Sequence, residues 1–445
     1  MIDLKKINIS IILITLLTMH ATCLFAATHY VGEEEVYNTI QAAVDAADSG
    51  DIVIVKDGVY VENINIYNKT LTLKSENGYT NTTIVSEKKG IYVQSSDNMI
   101  IDGFTFYGSD YNDGDSFEAA LYLWDSDFCI IRNNRFGIDE EHYNRLGIYL
   151  YSSYSIVTNN IFVEYTERAI YLRNNYNTII GNTFIGGEYA IRTVSNYNNI
   201  VQNNFLNQQI HPIKSYRDRI NYFYTSFEIT YQWNDQAKKS NLGNYYSNLA
   251  VKDDNSDGII DAYYDMPYTE PDDKFPLVSP ASEYKMQILY LQKDMLMTKR
   301  IDSNFSGKVD LNKNESLTWV SETPFDKSVT FSDKDEWSGH LYFDSNPLYY
   351  NDDNVKIEIG YSNDGIDFIQ FASTTLKKVQ KKYSYSTSSY EFPFLFEKQA
   401  ITFQKGSYLA FKLTNLTNSN NKIKTACVGS YLTLPLSYTR PPNIE

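Results

Sequence analysis

Cysteine is scarce in this chain, with three among 445 residues. Cys23 lies in an apolar N-terminal run, while Cys129 and Cys427 are far apart in the sequence. A disulfide framework is therefore excluded as the basis of the fold. Basic residues are also in deficit, because 39 Lys and Arg stand against 55 Asp and Glu and give a formal net charge of −16. We expect no nucleic-acid partner for so acidic a chain.

Long apolar runs are missing beyond the N-terminus, so we expect no stable transmembrane span after processing. Residues 1–26 have the order of a secretory signal peptide: two lysines near the start, an apolar stretch over 9–25 and two alanines at its end. The alternative is a retained membrane anchor, but the stretch is short and contains a histidine and several threonines. We predict export, with the mature protein extracellular or at the cell surface.

An internal repeat is the strongest signal in the chain. In each copy a phenylalanine follows an asparagine by two residues, and the copies are spaced by 26, 22 and 21 residues: Asn134 and Phe136, Asn160 and Phe162, Asn182 and Phe184, Asn203 and Phe205. Such periods are typical of a β-solenoid, in which each coil buries its core by stacking on its neighbours. We predict that the phenylalanines stack inside and that the asparagines hydrogen-bond to one another at turns. A polar binding strip is the alternative for the asparagines.

A second recurring phrase alternates apolar and aromatic residues, as a short strand with one buried face does. Its Ile, Leu and Val residues should face the interior, so the residues between them should face outward. If equivalent strands stack at about 4.8 Å, the outward tyrosines form an exterior column about 14 Å long. The column and its neighbours are Tyr92, Tyr122, Tyr149 and Tyr171, with Trp124, Tyr151 and Arg173 beside them.

Four aromatic rings directed at solvent would expose a large apolar area, and such patches usually mark a binding surface. Flat rings suit the C–H faces of sugars, and tyrosine hydroxyls can hydrogen-bond to sugar hydroxyls. We therefore predict that this column binds a polysaccharide or a cell-surface glycan. Two alternatives stay open: tyrosine simply favours strands, or the C-terminal part of the chain packs on the column.

The chain divides into two units after the signal peptide. Residues 28–282 are predicted to form the solenoid, with a capping helix over 39–49 that ends at a glycine. No period is evident in residues 216–241, whose structure is left open. From 283 to 445, alternating strands separated by turn signals predict a β-sandwich. The residues thus predict an all-β fold, with a β-solenoid followed by a β-sandwich.

The stretch from about residue 28 to 280 resembles the NosD-like subfamily of right-handed parallel β-helix proteins, which belong to the carbohydrate-binding and sugar-hydrolase class. The resemblance lies in the Thr-Ile-Gln-Ala-Ala segment from Thr39 and in the Asp-rich tail over 243–277, which begins Gly-Asn-Tyr-Tyr. It implies the fold strongly but leaves function open, because this architecture hosts lyases, hydrolases, epimerases, adhesins and accessory factors. The C-terminal part resembles jelly-roll modules of secreted surface proteins. Together the two resemblances imply a right-handed single-stranded parallel β-helix followed by a jelly-roll-like β-sandwich.

Charged residues near the predicted tyrosine face form a candidate catalytic cluster. It comprises Glu167, His142, Arg173 and Arg192. Carboxylates beside His and Arg are what general acid/base cleavage of a glycosidic bond or a uronate lyase needs. The alternative is that these charges only solvate the loops of the coils, since their spacing singles out no catalytic pair.

The Asp-rich tail contains the most specific local motif. Oxygen ligands alternate along it around a glycine, as in loops that wrap calcium: Asp253, Asn255, Asp257, Ile259 through its carbonyl, and Asp261. Tyr264 stands where an EF-hand has its bidentate Glu, so a helix-loop-helix sensor is not expected. We predict a bound Ca²⁺ that stiffens the loop, with a metal-free Asx-rich turn as the alternative.

Copper is weighed separately because the NosD-like resemblance implies an accessory role in maturing a copper enzyme. His29 would stand third in the mature chain if cleavage follows Ala26, and a free amine with that histidine can chelate Cu²⁺. The other histidines are scattered, and no Met/His cluster is present, so we do not expect copper.

Together these features favour an exported polysaccharide-binding β-helix protein. The alternatives are a polysaccharide lyase or glycoside hydrolase that uses the charged cluster, and a non-catalytic structural or accessory protein.

Overall fold

The computed structural model describes residues 26–109, 119–208, 211–215, 219–225, 228–234, 236–265, 272–286, 288–291, 295–298, 307–325, 327–333, 337–343, 347, 354–376, 382–384, 389–397, 399–417, 420–425 and 430–433. The predicted signal peptide, apart from Ala26, and Cys427 lie outside these residues. Across the described part of the chain, no helix has the length and apolarity needed to span a membrane.

The first half of the chain winds through three parallel sheets, each of which takes one strand from every coil. The first sheet contains Thr28–Val31, Ile52–Val55, Thr72–Ser75, Ile100–Asp102, Ile130–Arg132, Ile156–Thr158, Thr178–Ile180 and Asn199–Val201. The second contains Ile64–Tyr67, Ile91–Gln94, Leu121–Trp124, Leu146–Tyr151, Arg168–Leu172, Tyr189–Thr193 and His211–Ser215. The third contains Gly58–Val61, Thr82–Val85, Thr105–Tyr107, Arg135–Phe136, Ile161–Val163, Thr183–Ile185, Asn204–Leu206 and Tyr245–Tyr246. The predicted parallel β-solenoid is confirmed.

The strand register follows the sequence repeat. Leu121 pairs with Ile91 on one side and with Ile148 on the other, and Ile148 pairs with Ile170. All four side chains are fully buried. Alternation thus places the apolar residues of the second sheet inside the solenoid, where each covers the residue of the next coil.

The two predicted ladders are present inside the solenoid. The phenylalanine rings stack with centroids 4.7–5.1 Å apart and planes within 7–11°, in the order Phe106, Phe136, Phe162, Phe184 and Phe205. The asparagines are buried, and the backbone N–H of each donates to Oδ1 of the next coil's asparagine at 2.9–3.0 Å: Asn134, Asn160, Asn182 and Asn203. The structural interpretation of the asparagines is therefore confirmed, and the polar binding strip is excluded.

The asparagine ladder ends on a carboxylate. Asn203 donates its backbone N–H to Asn244, and Asn244 donates to Oδ2 of Asp273 at 2.8 Å. The Tyr246 hydroxyl donates to the same oxygen at 3.1 Å, and the N–H of Phe275 donates to Oδ1. Burial raises the pKa of the fully buried Asp273 to about 7, although these hydrogen bonds act to lower it. An ionised carboxylate suits the end of the ladder because it accepts on both oxygens and needs no acceptor of its own.

A capping helix, Ile40–Ala46, precedes the solenoid as predicted, but it ends four residues before the expected Gly50. Thr39 caps its first turn by accepting from the N–H of Ala42 at 3.2 Å. At its other end the ammonium of Lys69 donates to three carbonyls near the C-terminus, at 2.7–2.9 Å. The cation satisfies orphan carbonyls of the last turn, and no glycine is needed there.

The region left open by the sequence contains an antiparallel hairpin, Ile229–Trp233 and Gln236–Ser240, which also pairs with Lys285–Met286. A 3₁₀ turn, Ala281–Glu283, precedes that last strand. The hairpin contributes to an apolar cluster with Tyr284, and Tyr342 and Tyr431 from the C-terminal part join the same cluster. The two parts of the chain therefore meet at the end of the solenoid.

The C-terminal part forms sheets around a core of its own. Among its described strands, all pairs are antiparallel except that of Leu296–Thr298 with Ser316–Ser321. The larger sheet contains Ile288–Leu291, Leu296–Thr298, Gly307–Leu311, Ser316–Ser321, Ser338–Phe343, Val355–Ser362, Ile369–Thr375, Lys382–Ser384, Ser389–Leu395, Tyr408–Asn415, Asn421–Thr425 and Tyr431–Thr433. The smaller one contains Val329–Phe331 and Ile401–Phe403. These antiparallel sheets are consistent with the predicted β-sandwich.

Candidate functional site

The outer face of the second sheet carries the predicted tyrosine column. Tyr92, Tyr122, Tyr149 and Tyr171 occupy equivalent positions on four adjacent strands. The column continues on the next strand with Arg192. Parallel pairing without a register shift at these positions explains why the sequence repeat located the column correctly.

The expectation that this column is exposed to solvent is wrong for three of its four rings. Tyr122, Tyr149 and Tyr171 are only 8%, 3% and 4% exposed. Tyr122 and Tyr149 stack face to face with centroids 4.3 Å apart, and Tyr149 meets Tyr171 edge to face at 5.5 Å. Lys89 lies over the Tyr122 ring, 4.4 Å from its centroid. Rings on adjacent strands cover one another's faces, so a column of them does not form an open platform.

Burial has an electrostatic consequence for the column. It raises the pKa of both the Tyr122 and Tyr149 hydroxyls above that of free tyrosine. Both hydroxyls therefore stay neutral near pH 7. A covering role for the C-terminal part is not supported, because the apolar cluster around the column contains no described residue beyond Val194.

The exposed aromatic surface lies one column further along the strands. Trp124 is 37% exposed and stacks on the half-buried Tyr151, with ring centroids 4.4 Å apart and planes within 13°. Trp124 pairs in register with Tyr151 on one side and with Gln94 on the other. We name the Trp124 and Tyr151 side chains the exposed aromatic pair.

Three arginines surround the Tyr171 ring. The guanidinium carbons of Arg168, Arg173 and Arg192 lie 4.7, 5.4 and 5.1 Å from its centroid. Arg173 also donates from Nη1 to the Tyr171 hydroxyl at 3.2 Å. Burial lowers the pKa of Arg168 to about 10, and the neighbouring Arg192 adds to that shift by repulsion. We name Arg168, Arg173 and Arg192 the arginine cluster.

The predicted catalytic residues are only partly brought together. Glu167 forms ion pairs with Arg145, at 3.1 Å, and with Arg168. His142 lies on a separate loop, where its Nδ1 contacts Asp139 at 2.9 Å and its ring meets Tyr107 edge to face. In the described residues no hydrogen bond or ion pair joins His142 to Glu167. Each carboxylate oxygen of Glu167 is held in an ion pair, so a substrate would compete with an arginine for it.

A further aromatic ladder was missed in the sequence. Phe128, Tyr154, Tyr176 and Tyr197 stack with centroids 5.2–5.4 Å apart and planes within 6–16°. All four have positive φ, between 57° and 64°, at a turn that follows each strand of the second sheet. They are spaced by 26, 22 and 21 residues, as the phenylalanine repeat is, so the signal was present in the sequence. Their faces cover one another, which leaves mainly ring edges for solvent.

The Asp-rich loop closes on its own backbone. Asp253 accepts from the N–H groups of Gly258, at 2.9 Å, and Asp257, at 3.1 Å. Asp257 accepts from Ile259, and Asn255 from Asp257. Gly258 has a φ of 85°, which the sharp turn requires. These contacts are those of an Asx-rich turn.

The same oxygens would have to turn toward a metal if calcium binds. Asp261, the last predicted ligand, accepts from the backbone N–H of Asp254 at 2.6 Å. Among the described residues, no three His, Cys, Asp or Glu side chains are grouped so as to hold a metal ion. The Ca²⁺ site stays a prediction, and its test is given in the Discussion.

Residues 31–250 match the family model described as "Periplasmic copper-binding protein (NosD)". No curated protein matches the chain in sequence. The protein is similar in structure to the pectin methylesterase of Aspergillus niger, with 18% identity, a TM-score of 0.32 and coverage of 44% of this chain and 75% of that one. It is also similar to the pectin methylesterase of Erwinia chrysanthemi, with 13% identity, a TM-score of 0.24 and coverage of 52% of this chain and 92% of that one. The match to an alpha-amino acid ester hydrolase has 12% identity and a TM-score of 0.27, and covers 34% of this chain. It spans 36% of that hydrolase, little more than a third of its length.

Three histidines that are candidate copper ligands contact residues other than one another. Nε2 of His29 contacts Asp51 at 2.8 Å, His142 contacts Asp139, and His340 stacks on Tyr431. Cys129 is buried, and burial raises the pKa of its thiol, which disfavours the thiolate that binds metal. A copper site built from several imidazole or sulfur ligands needs them to converge on one point, and the described part of the chain brings no such set together.

Proposed function

Residues 31–250 form a NosD-like parallel β-helix, and on that premise we propose that the protein binds polysaccharide on the outer face of the second sheet. The observation that carries the proposal is the exposed aromatic pair beside the arginine cluster. Tryptophan, tyrosine and arginine are the residues that most often anchor binding surfaces, because they combine large apolar area with hydrogen-bond donors.

The geometry of the sheet favours an extended ligand. Equivalent residues on successive parallel strands repeat at about 4.8 Å along the solenoid axis. Gln94, Trp124 and Tyr151 follow one another along that axis on three strands, and Arg173 comes directly after the next strand. A linear polymer lying on this row meets an amide, two aromatic side chains and a cation in turn. Because the rings of the pair cover each other, their edges and the Tyr151 hydroxyl are the groups offered to a sugar.

Binding is favoured over cleavage by the state of the candidate catalytic residues. Glu167 is held between two arginines, and His142 contacts residues of a separate loop. General acid/base cleavage of a glycosidic bond requires two groups that converge on one bond. The predicted export agrees with this function, because a protein outside the cytoplasm can meet polysaccharide directly. Support for export comes from the signal-like N-terminus and from the periplasmic family description.

The test is affinity electrophoresis of the mature protein through gels that contain a panel of neutral and acidic polysaccharides. The wild type is compared with the double variant Trp124→Ala and Tyr151→Ala. Loss of two aromatic contacts should weaken retention by about 10- to 100-fold at about 1 kcal/mol or more each. Tyr263→Ala is the matched control, since Tyr263 is a 65% exposed aromatic residue that lies on the Asp-rich tail.

Each outcome has a definite meaning. Retention that falls in the double variant and persists in Tyr263→Ala supports the proposal. Equal retention of all three proteins refutes the role of the exposed aromatic pair. New chain ends in the polysaccharide would establish an enzyme instead, and failure of every polysaccharide to retard the wild type would favour a structural or accessory role.

A further inference from the structure

Arg168 is buried in an unusual way. The residue is 4% exposed, and its only described ion pair joins Nη2 to Glu167. Among the described residues, its buried Nε and Nη1 atoms have no hydrogen-bond partner. Buried guanidinium donors normally find acceptors, because leaving a charged donor unsatisfied costs more than leaving a neutral one. The N–H groups on these two nitrogens therefore point to an acceptor that the described part of the chain does not supply.

The surroundings of Arg168 add positive charge. Arg145, Arg168, Arg173 and Arg192 stand against the two nearby carboxylates of Glu167 and Glu188. Counted over these described residues, four cations and two anions leave a local excess of two positive charges, in a chain whose formal net charge is −16. Repulsion among the arginines is relieved when an anion binds between them.

The rim of the site is open to solvent in part. Arg173, Arg192, Glu167 and Glu188 are all partly exposed, whereas Arg168 is buried. Because its Nε and Nη1 atoms are buried as well, an anionic group contacts them once a rim side chain moves aside. Carboxylate and sulfate both present two oxygens to the planar fork of a guanidinium.

We propose that the arginine cluster is an anion-binding site, in which the free Nε and Nη1 of Arg168 receive a carboxylate or sulfate group of an acidic polysaccharide. The inference rests on the proposed polysaccharide function and narrows it to acidic chains. The exposed aromatic pair contacts the sugar rings, while Arg168 recognises the charge. Arg168 acts here as a binding residue with no part in bond cleavage.

The experiment measures retention of the mature protein on two matched pairs of polymers. Polygalacturonate is compared with its fully methyl-esterified form, and dextran sulfate with dextran, at low and at high salt. We expect retention on at least one charged polymer and none on its neutral counterpart. The charged polymer that is retained identifies the source as carboxylate or sulfate.

Two variants of the site and one control complete the design. Arg168→Met keeps the bulk of the side chain but removes the donors, and retention should fall by about 10- to 100-fold, as for loss of one charge-assisted hydrogen-bonded contact. Arg168→Lys keeps the charge but loses the planar fork of the guanidinium, so its retention should also fall. This variant tests the site if Arg168→Met does not fold. The control is Arg132→Met, which removes an arginine paired with Asp102 on the first sheet. It should leave retention unchanged.

The melting temperature separates binding from a structural role. Arg168→Met removes one of the two ion-pair partners of Glu167, which is partly exposed and keeps Arg145, so the melting temperature should change little. Unchanged retention in both Arg168 variants overturns the inference. Equal retention on charged and neutral polymers also overturns it, while the proposed polysaccharide function stands. Absence of retention on every polymer refutes both.

Discussion

The asparagine ladder allows the stability of the solenoid to be tested at one atom. Asn182 lies in the middle of the ladder and is fully buried. Its Oδ1 accepts from the backbone N–H of Asn160 at 3.0 Å, and its Nδ2 donates to the carbonyls of Val157, at 2.8 Å, and Ile180, at 3.2 Å. The change Asn182→Ala removes all of these contacts at once.

The expected loss follows from the groups left behind. The N–H of Asn160 loses its side-chain acceptor, and the Val157 carbonyl loses a donor, in an interior where water does not replace them. Each buried group left unsatisfied costs about 1–3 kcal/mol, so the free energy of unfolding should fall by about 2–6 kcal/mol. Repeat architectures propagate order between neighbouring coils, so the effect should also reach the adjacent coils.

Urea denaturation followed by circular dichroism measures this loss, and hydrogen exchange of the Asn160 amide localises it. The matched control is Asn65→Ala, because Asn65 lies on an exposed position of the second sheet. That change should stay within about 0.5 kcal/mol. A loss below about 1 kcal/mol in Asn182→Ala, or equal losses in the two variants, would refute the reasoning that the ladder hydrogen bonds stabilise the coils.

Two further predictions concern the end of the solenoid and the Asp-rich loop. Burial raises the pKa of Asp273 from 3.8 to about 7, so the folded protein binds more protons than the unfolded chain between these pH values. The free energy of unfolding should therefore fall as pH rises through this range, by up to about 1.4 kcal/mol per pH unit. Unfolding of the wild type and of Asp273→Asn from pH 5 to 8 tests this, and equal slopes would contradict it. If the loop binds Ca²⁺, chelation should lower the melting temperature of the wild type. The loss in the free energy of unfolding should be about 2.7 kcal/mol when the ion had been present at 100 times its dissociation constant. The melting temperature of Asp257→Asn should not change on chelation. If neither chelator nor added Ca²⁺ changes the wild-type melting temperature, a stabilising Ca²⁺ site is excluded.

The sequence by itself determined the solenoid and its register. Phe136, Phe162, Phe184 and Phe205 recur at the period of one coil, and side chains in strands alternate, so both the stacking of these rings and the tyrosine column could be predicted. The same spacing relates Phe128, Tyr154, Tyr176 and Tyr197, whose ladder could have been predicted as well. Repeats make such features readable because each coil contacts only its neighbours.

Only the tertiary structure decided which of these side chains meet solvent. Alternation places Tyr149 outside the solenoid but does not show that rings on the next strands cover its faces. Arg168 carries no signal of its own in the sequence, yet packing against Tyr171 buries it, and its Nε and Nη1 have no partner among the described residues. Asp273 accepts the hydrogen bond at the end of the asparagine ladder, although it lies 29 residues after its donor Asn244 in the sequence. No local sequence pattern predicts this contact. Exposure and long-range pairing depend on neighbours brought together by folding, whereas register depends on the repeat alone.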